Sequence, residues 1–384
     1  METTAVFIKK ARNYISKISL SFKIRFGLLD VPKIVPFIGY SNGEQTFISG
    51  EVLEDNGIAK PIEGQSRWQN VKAMLKRYFA DEFAGVTVRI IFNGISQEVV
   101  TNKFGVFNSI FNHANHELPN DIWQTASFEL TQKIHHQQKT GFVIGEIMVV
   151  KNKPQFGIIS DIDDTILVSY ATSKLMKFRL MFFNNAYTRM PFEGVSAFYQ
   201  SLQRGTVPGI FNPLFYLSNS EWDLYDLLFE FVQFNRIPKG PLLLREMAVH
   251  VLRIWKMREY NKFHKLEKLR QLFSVYKDLQ FILIGDSGQK DPEIYSQIIE
   301  EFPGRVLTVY IRDVGIKEKT IRIQTISKHV MQYYNTEMVL VKDTEAAAKH
   351  AINKGYIMPD EYQNIKTEKQ KDVQKKNEPA SVSV

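Results

Sequence analysis

Cysteine is absent from the 384-residue chain, which excludes disulfides, zinc–thiolate centres, iron–sulfur clusters and a thiol nucleophile. A metal held by oxygen ligands stays open, and the composition suits a reducing compartment. No 18-residue stretch is free of charge, so no segment reads as a transmembrane helix. The N-terminus lacks an uninterrupted apolar core with a small-residue cleavage site. No secretory signal is therefore expected, and a cytoplasmic location is the default. Acidic excess is missing as well: 49 Lys+Arg stand against 41 Asp+Glu, a net of +8. A basic chain suits anionic partners, whether nucleic acid, phosphorylated metabolites or a membrane surface. With no helix-turn-helix or RNA-binding signature, nucleic acid is not expected. Apolar residues are plentiful at 44%, enough for the core of one large or two medium domains.

Four regions follow from the patterning. Residues 1–30 form a basic amphipathic segment. Phe7, Ile8, Ala11, Ile15 and Ile18 share one helical face, while Lys9, Lys10, Arg12 and Lys17 occupy the rest. From Ile18 to Phe26 apolar and polar residues alternate, as in a strand or an apolar tether. Residues 31–152 hold many short strand-like runs with turn residues between them and one helical candidate at 66–80, which suggests a small β-sandwich-like domain. The pattern changes at 151–154. Over 153–360, five apolar runs (156–160, 214–218, 281–285, 306–311 and 338–342) alternate with helical stretches, the signature of an α/β fold with a doubly wound parallel sheet. Residues 361–384 are mostly Lys, Glu, Gln, Asp and Asn and read as a disordered, solvated tail.

In such a sheet ligands sit at the carboxyl ends of the strands, and there the polar residues gather. The first run ends in Asp161-Ile162-Asp163-Asp164-Thr165. Two carboxylates at i and i+2 repel unless a cation intervenes; one can attack phosphorus or bind a metal while the other moves protons. An Asx-turn with a helix cap is the plain alternative. The second run ends in Ser218-Asn219-Ser220, a phosphoryl-oxygen donor or a mere helix cap. The third ends in Gly285-Asp286-Ser287-Gly288-Gln289-Lys290-Asp291, whose two carboxylates, without cysteine, favour magnesium over zinc or iron. Lys265 lies on a basic helix leading into that run, where it could neutralise phosphate or simply face water. His113 and His116 could ligate a metal, but no third ligand is near them in sequence.

The order DxDxT, Ser, Lys, GDxxxxD resembles the haloacid dehalogenase superfamily. ISDIDDT, RMPFEGV, FYLSNSEWDLY, GPLLLRE, HKLEKLRQLF, FILIGDSGQKDPEIY and YIRDV look, more narrowly, like the actin-patch-protein-type phosphatidate phosphatase family, over roughly 156–357. The resemblance implies a haloacid dehalogenase-like fold and a Mg²⁺-dependent phosphomonoesterase acting on phosphatidate. It makes Asp161 the nucleophile and Asp163 the acid and base. Ser218 and Lys265 would hold phosphoryl oxygens, with Thr165 and Asn219 also on the substrate. Asp161, the Asp163 carbonyl, Asp286 and Asp291 would hold or support Mg²⁺. Arg245 would pair with a substrate phosphate; its alternative is an ordinary surface ion pair. The family often carries proline where Glu221 stands, a departure that bears on loop rigidity.

Thr165 to Ser218 and Ser218 to Lys265 each span roughly fifty residues, most of them needed for the sheet's own helices, so no large cap is expected. An open site suits a large or interfacial substrate. The Leu-, Met- and Phe-rich stretch 175–187 is either a buried helix or a membrane-touching flap. An anionic lipid surface is thus an expected partner, with peripheral attachment to the inner face of the membrane. Two alternatives differ in kind: a phosphatase for a soluble metabolite or phosphoprotein, and a non-catalytic membrane adaptor. Every catalytic position holds a competent residue, which argues against the adaptor.

Overall fold

The structure is a computed structural model that describes residues 31–55, 82–113, 117–138, 140–151, 153–162, 192–245 and 257–377. The basic segment 1–30, the helical candidate 66–80 and the stretch 175–187 lie outside the described residues. The chain divides into two compact units, with the division at Lys151 and Asn152.

The first unit is built from β1 (Pro32–Pro36), β2 (Gly39–Ser41), β3 (Gln45–Glu54), β4 (Thr87–Phe92), β5 (Ile95–Val100), β6 (Val106–Asn112), β7 (Trp123–Leu130) and β8 (Val143–Val149). They hydrogen-bond in the order β1-β3-β2-β8-β7-β4-β5, with β6 added to β3. Strand β4 alternates buried and half-buried positions, so one face is core and the other meets solvent. Ile48, Phe107 and Phe111 from β3 and β6 meet Ile90, Phe128 and Ile147 from β4, β7 and β8 in one apolar core. His113 belongs to this unit, buried and hydrogen-bonded through Nε2 to Thr46 Oγ1 at 2.7 Å.

The second unit holds a six-stranded sheet of β9 (Gly157–Asp161), β10 (Leu214–Glu221), β11 (Leu242–Arg245), β12 (Phe281–Asp286), β13 (Val306–Arg312) and β14 (Glu337–Val341). Its order is β11-β10-β9-β12-β13-β14, and every pair is parallel. Strands β9 and β12 are buried along their whole length, which is why their sequences are unbroken apolar runs. β11 was not anticipated: four residues at a sheet edge leave too short a run to register as a strand. The helices are α1 (Val195–Arg204), α2 (Tyr225–Phe234), α3 (Met257–Val275), α4 (Asp291–Glu301), α5 (Lys317–Tyr334), α6 (Thr344–Asn353) and α7 (Glu361–Asn377). α1, α6 and α7 pack together, and α3, α4 and α5 form a second group.

The connectivity positions the site. From β9 the chain steps to β10 and β11, then returns to β12 on the other side of β9 and continues outward to β14. Connections leave β9 and β12 in opposite directions, so a crevice forms beyond their carboxyl ends. Asp161 closes β9 and Asp286 closes β12, which puts both in that crevice.

The solvated tail expected from residue 361 is corrected in part, because residues 361–377 form α7. Its composition is polar, but Ile365 is fully buried. Arg204 pairs with Glu361 at 2.7 Å, Lys369 with Asp343 at 2.8 Å, and Asp372 accepts from the Gly194 N–H at 2.9 Å. Polar composition alone cannot reveal this, since one buried isoleucine and a few partners on α1 and α6 suffice to seat the helix. Ile365→Ala should lower unfolding stability by about 2–4 kcal/mol in urea titration. Val373→Ala, at a largely exposed site, should change it by less than about 0.5 kcal/mol. A tail free in solvent would show neither loss.

Candidate active site

Asp161, at the end of β9, is wholly buried. Its Oδ1 accepts from Lys265 Nζ at 2.8 Å, and the same ammonium donates to Asp291 Oδ1 at 2.7 Å. Lys265 rides on α3, where Leu266, Leu269 and Leu272 are buried beside it and fix the helix against the unit. Burial alone would lower the pKa of the ammonium. Asp161 and Asp291 outweigh that, by charge and hydrogen bond, and hold it well above its ordinary value. Because the folded pKa is raised, the stability this contact contributes is fully present at neutral pH. It is lost only as pH rises through the folded value.

Asp286 and Asp291 complete the cluster. One carboxylate oxygen from each of Asp161, Asp286 and Asp291 lies within 4.8 Å of the others. Glycines on either side of Asp286 leave room for these carboxylates. A Cβ on Gly285 would sit 2.7 Å from Asp291 Oδ2, and one on Gly288 would sit 2.7 Å from Asp286 Oδ1. Asp286 Oδ1 also accepts from the Gly288 and Gln289 N–H groups, the latter at 2.9 Å. Ionised, three carboxylates and one ammonium leave an excess of two negative charges in a buried site. An all-oxygen donor set of that charge fits a hard divalent cation.

Across from the cluster, Leu217 of β10 is the register partner of Asp161, so Ser218 and Asn219 emerge beside it. Ser218 is buried, and its Oγ accepts from the Ser220 N–H at 3.0 Å. Gln289 joins the two sides: its Nε2 reaches Asp161 Oδ2 at 3.3 Å, and its Oε1 accepts from Asn219 Nδ2 at 3.4 Å. Gln289 lies within the GDSGQKD run, whose spacing gives no sign of its role. An amide that can donate to a carboxylate and accept from an amide was the available signal. The structure therefore brings Asp161, Ser218, Asn219, Lys265, Asp286 and Asp291 to one place. Asp163 and Thr165 lie outside the described residues. Arg245 is 1% exposed and donates to Glu221 Oε1 at 2.8 Å, so its ion pair is a buried one and not the surface pair given as the alternative.

Next to Lys265, His264 is mostly buried, and its Nε2 finds no hydrogen-bond partner. Burial first, then the charges of Lys268, Arg245 and Lys265, push its pKa down to about 3. The imidazole is therefore neutral at all ordinary pH. The unfolded chain takes up a proton below about 6.5 that the folded one refuses, so stability falls as pH drops from there toward 3. Between pH 7 and pH 5 the wild type should lose about 2 kcal/mol more stability than His264→Gln. Urea midpoints at the two pH values measure it, and equal losses would show that the imidazole does not titrate this way.

Residues 156–313 match the sequence model of a family described as "Phosphatidate phosphatase APP1, catalytic domain". Phosphatidate phosphatase APP1 of Saccharomyces cerevisiae is 31% identical over 157 residues, which are 41% of this chain and 25% of that protein. An uncharacterised protein of Schizosaccharomyces pombe is 26% identical over 275 residues, 70% of this chain and 43% of its own. The chain thus spans less than half the length of these curated relatives. Among solved structures, a carbohydrate acetylesterase from Xanthomonas citri overlaps 85% of this chain and 76% of its own, at 9% identity and a TM-score of 0.30.

Proposed function

We propose that this chain is a Mg²⁺-dependent phosphatase that hydrolyses phosphatidate to diacylglycerol and phosphate through an aspartyl-phosphate on Asp161. The observation that carries the reading is the buried Asp161 carboxylate, held by Lys265 at 2.8 Å within a cluster completed by Asp286 and Asp291. The similarity of residues 156–313 to a phosphatidate phosphatase catalytic domain supports it. So does the arrangement itself, in which a buried carboxylate faces a cation and the hydrogen-bonding residues Ser218 and Asn219 across a strand-end crevice. The fold proposed for the second unit is haloacid dehalogenase-like.

In this reading an Asp161 carboxylate oxygen bonds to phosphorus as the ester P–O bond breaks. Asp163, two residues on, gives its proton to the departing glyceride oxygen. It then takes a proton from the water that attacks the aspartyl-phosphate, which frees inorganic phosphate and restores Asp161 as a carboxylate and Asp163 as the protonated acid. Lys265 offsets the negative charge of Asp161 and of the phosphoryl oxygens. Ser218 Oγ, the Asn219 amide and Thr165 hold those oxygens in place. Asp161, Asp286 and the Asp163 carbonyl would hold Mg²⁺, with Asp291 in support; when bound, the ion supplies charge neutralisation at the phosphoryl group.

Phosphate release from phosphatidate in mixed micelles should require Mg²⁺ and stop with EDTA. Asp161→Asn should lower it by on the order of 10³-fold or more while the protein keeps its unfolding transition. Full activity in that variant would remove the mechanism. A panel that sets phosphatidate against sugar, nucleotide and amino-acid phosphates tests the substrate, and preference for a soluble phosphate would overturn it.

The basic segment 5–26 is proposed to dock the enzyme on anionic membrane. Lys9, Lys10, Arg12, Lys17, Lys23 and Arg25 face only Glu2 and Asp30 in the first thirty residues. Each basic side chain contributes about 1 kcal/mol near an anionic surface. Deleting residues 1–26 should reduce sedimentation with anionic vesicles and reduce activity on bilayer phosphatidate. A short-chain soluble analogue should be hydrolysed as before. Unchanged vesicle binding at low salt would rule the docking out.

A further inference from the structure

The sheet ladder between β10 and β11 is irregular at one place. Leu217 pairs with Leu243, and the next pair is Glu221 with Arg245: four steps along β10 against two along β11. The two extra residues belong to Ser218-Asn219-Ser220, so these bulge away from the ladder. On the other edge, β10 is still paired with β9 at Leu217 and Asp161, and the Ile162 N–H donates to the Leu217 carbonyl at 3.1 Å. The bulge is therefore anchored on one side just before Ser218 and on the other side just after Ser220. That second anchor is a side-chain bond as well as a backbone pair, because Arg245 Nη2 donates to Glu221 Oε1 at 2.8 Å.

Both partners are nearly closed to solvent, Arg245 at 1% and Glu221 at 7%. A buried ion pair is a poor source of net stability, since desolvation offsets much of the attraction. What it supplies well is one geometry, because pulling two opposite charges apart in a low-dielectric interior is costly. A bulge aims side chains away from the regular pleat. Here the aimed groups are Ser218, whose Oγ folds back to accept from Ser220, and Asn219, which reaches Gln289 and through it Asp161.

We propose that Glu221 and Arg245 are positioning residues for the phosphoryl-binding bulge: their bridge sets where Ser218 and Asn219 stand relative to the Asp161 carboxylate, and neither touches substrate. This rests on the phosphatase reading above and deepens it. It assigns to Arg245 a role different from phosphate contact, and it makes Glu221 part of the reaction machinery at one remove.

The test separates positioning from mere charge compensation. Replacing both partners at once, as Glu221→Met with Arg245→Leu, removes the two charges of the bridge together, and the unfolding transition reports whether the fold is kept. Unfolding temperature, kcat, KM for phosphatidate with Mg²⁺, and the affinity for orthovanadate as a phosphate analogue are measured against wild type. The bridge as a positioning device requires a folded double variant whose kcat falls about 10- to 100-fold, with vanadate binding weakened and KM for the lipid changed far less. A folded double variant with wild-type kcat and vanadate affinity overturns the proposal. Should the double variant not fold, Arg245→Lys answers the same question. It keeps a cation opposite Glu221 but shortens and reshapes it, and kcat should drop about tenfold; wild-type values for both kcat and vanadate affinity would again overturn the proposal. If the wild-type protein neither releases phosphate nor binds vanadate, the phosphatase reading itself has failed, and the positioning role falls with it.

Discussion

The second unit depends on one buried ammonium. Lys265 stands between Asp161 and Asp291, and without a cation there the end of β9 and the start of α4 would present like charges to each other in a dry interior. The contact joins three separate stretches of chain: the strand that carries Asp161, the helix α3 and the start of α4. It also explains why α3 must be seated firmly by its buried leucines. A lysine side chain that wandered would withdraw the compensating charge from two buried carboxylates, a loss on the order of a large apolar cavity.

Topology makes that contact possible. Opposite winding of the connections around β9 and β12 opens the crevice in which strand ends, not strand faces, supply the chemistry. Strands β9 and β12 are buried along their length and keep their charge to the last residue. Polar function is therefore displaced to their last residues and to the loops just beyond. Gly285 near the end of β12 and Gly288 just beyond it serve the same arrangement, because a side chain at Gly285 would displace the Asp291 carboxylate. Gln289 then links the β12 loop to the β10 bulge, so the two sides of the crevice are held to each other as well as to the sheet.

Some of this was legible in the residues alone, for reasons that can be named. Runs such as 281–285 and 306–311 are strands because a parallel sheet covered on both faces demands unbroken apolar sequence. Asp161, Ser218, Asp286 and Asp291 stood out because they sit at or just beyond the ends of such runs, where ligands bind in this kind of sheet. Lys265 was more ambiguous, since most helix lysines face water and sequence does not show which face of α3 is covered. Strand β11 escaped notice because four residues at an edge give no period. α7 escaped because its seat depends on Ile365 and on partners that lie far away in sequence.

The sequence by itself determined the alternation of apolar runs with helices, the residues available at the run ends and the oxygen-only character of the donor set. Those are local properties, written in composition and spacing. The tertiary structure alone decided which of the available charges meet. Whether Arg245 faces a ligand or Glu221, whether Lys265 faces water or two aspartates, and whether residues 361–377 float or pack are matters of long-range burial. Desolvation makes each of those choices costly to reverse, and it acts on pairs of residues that the linear chain keeps tens of positions apart.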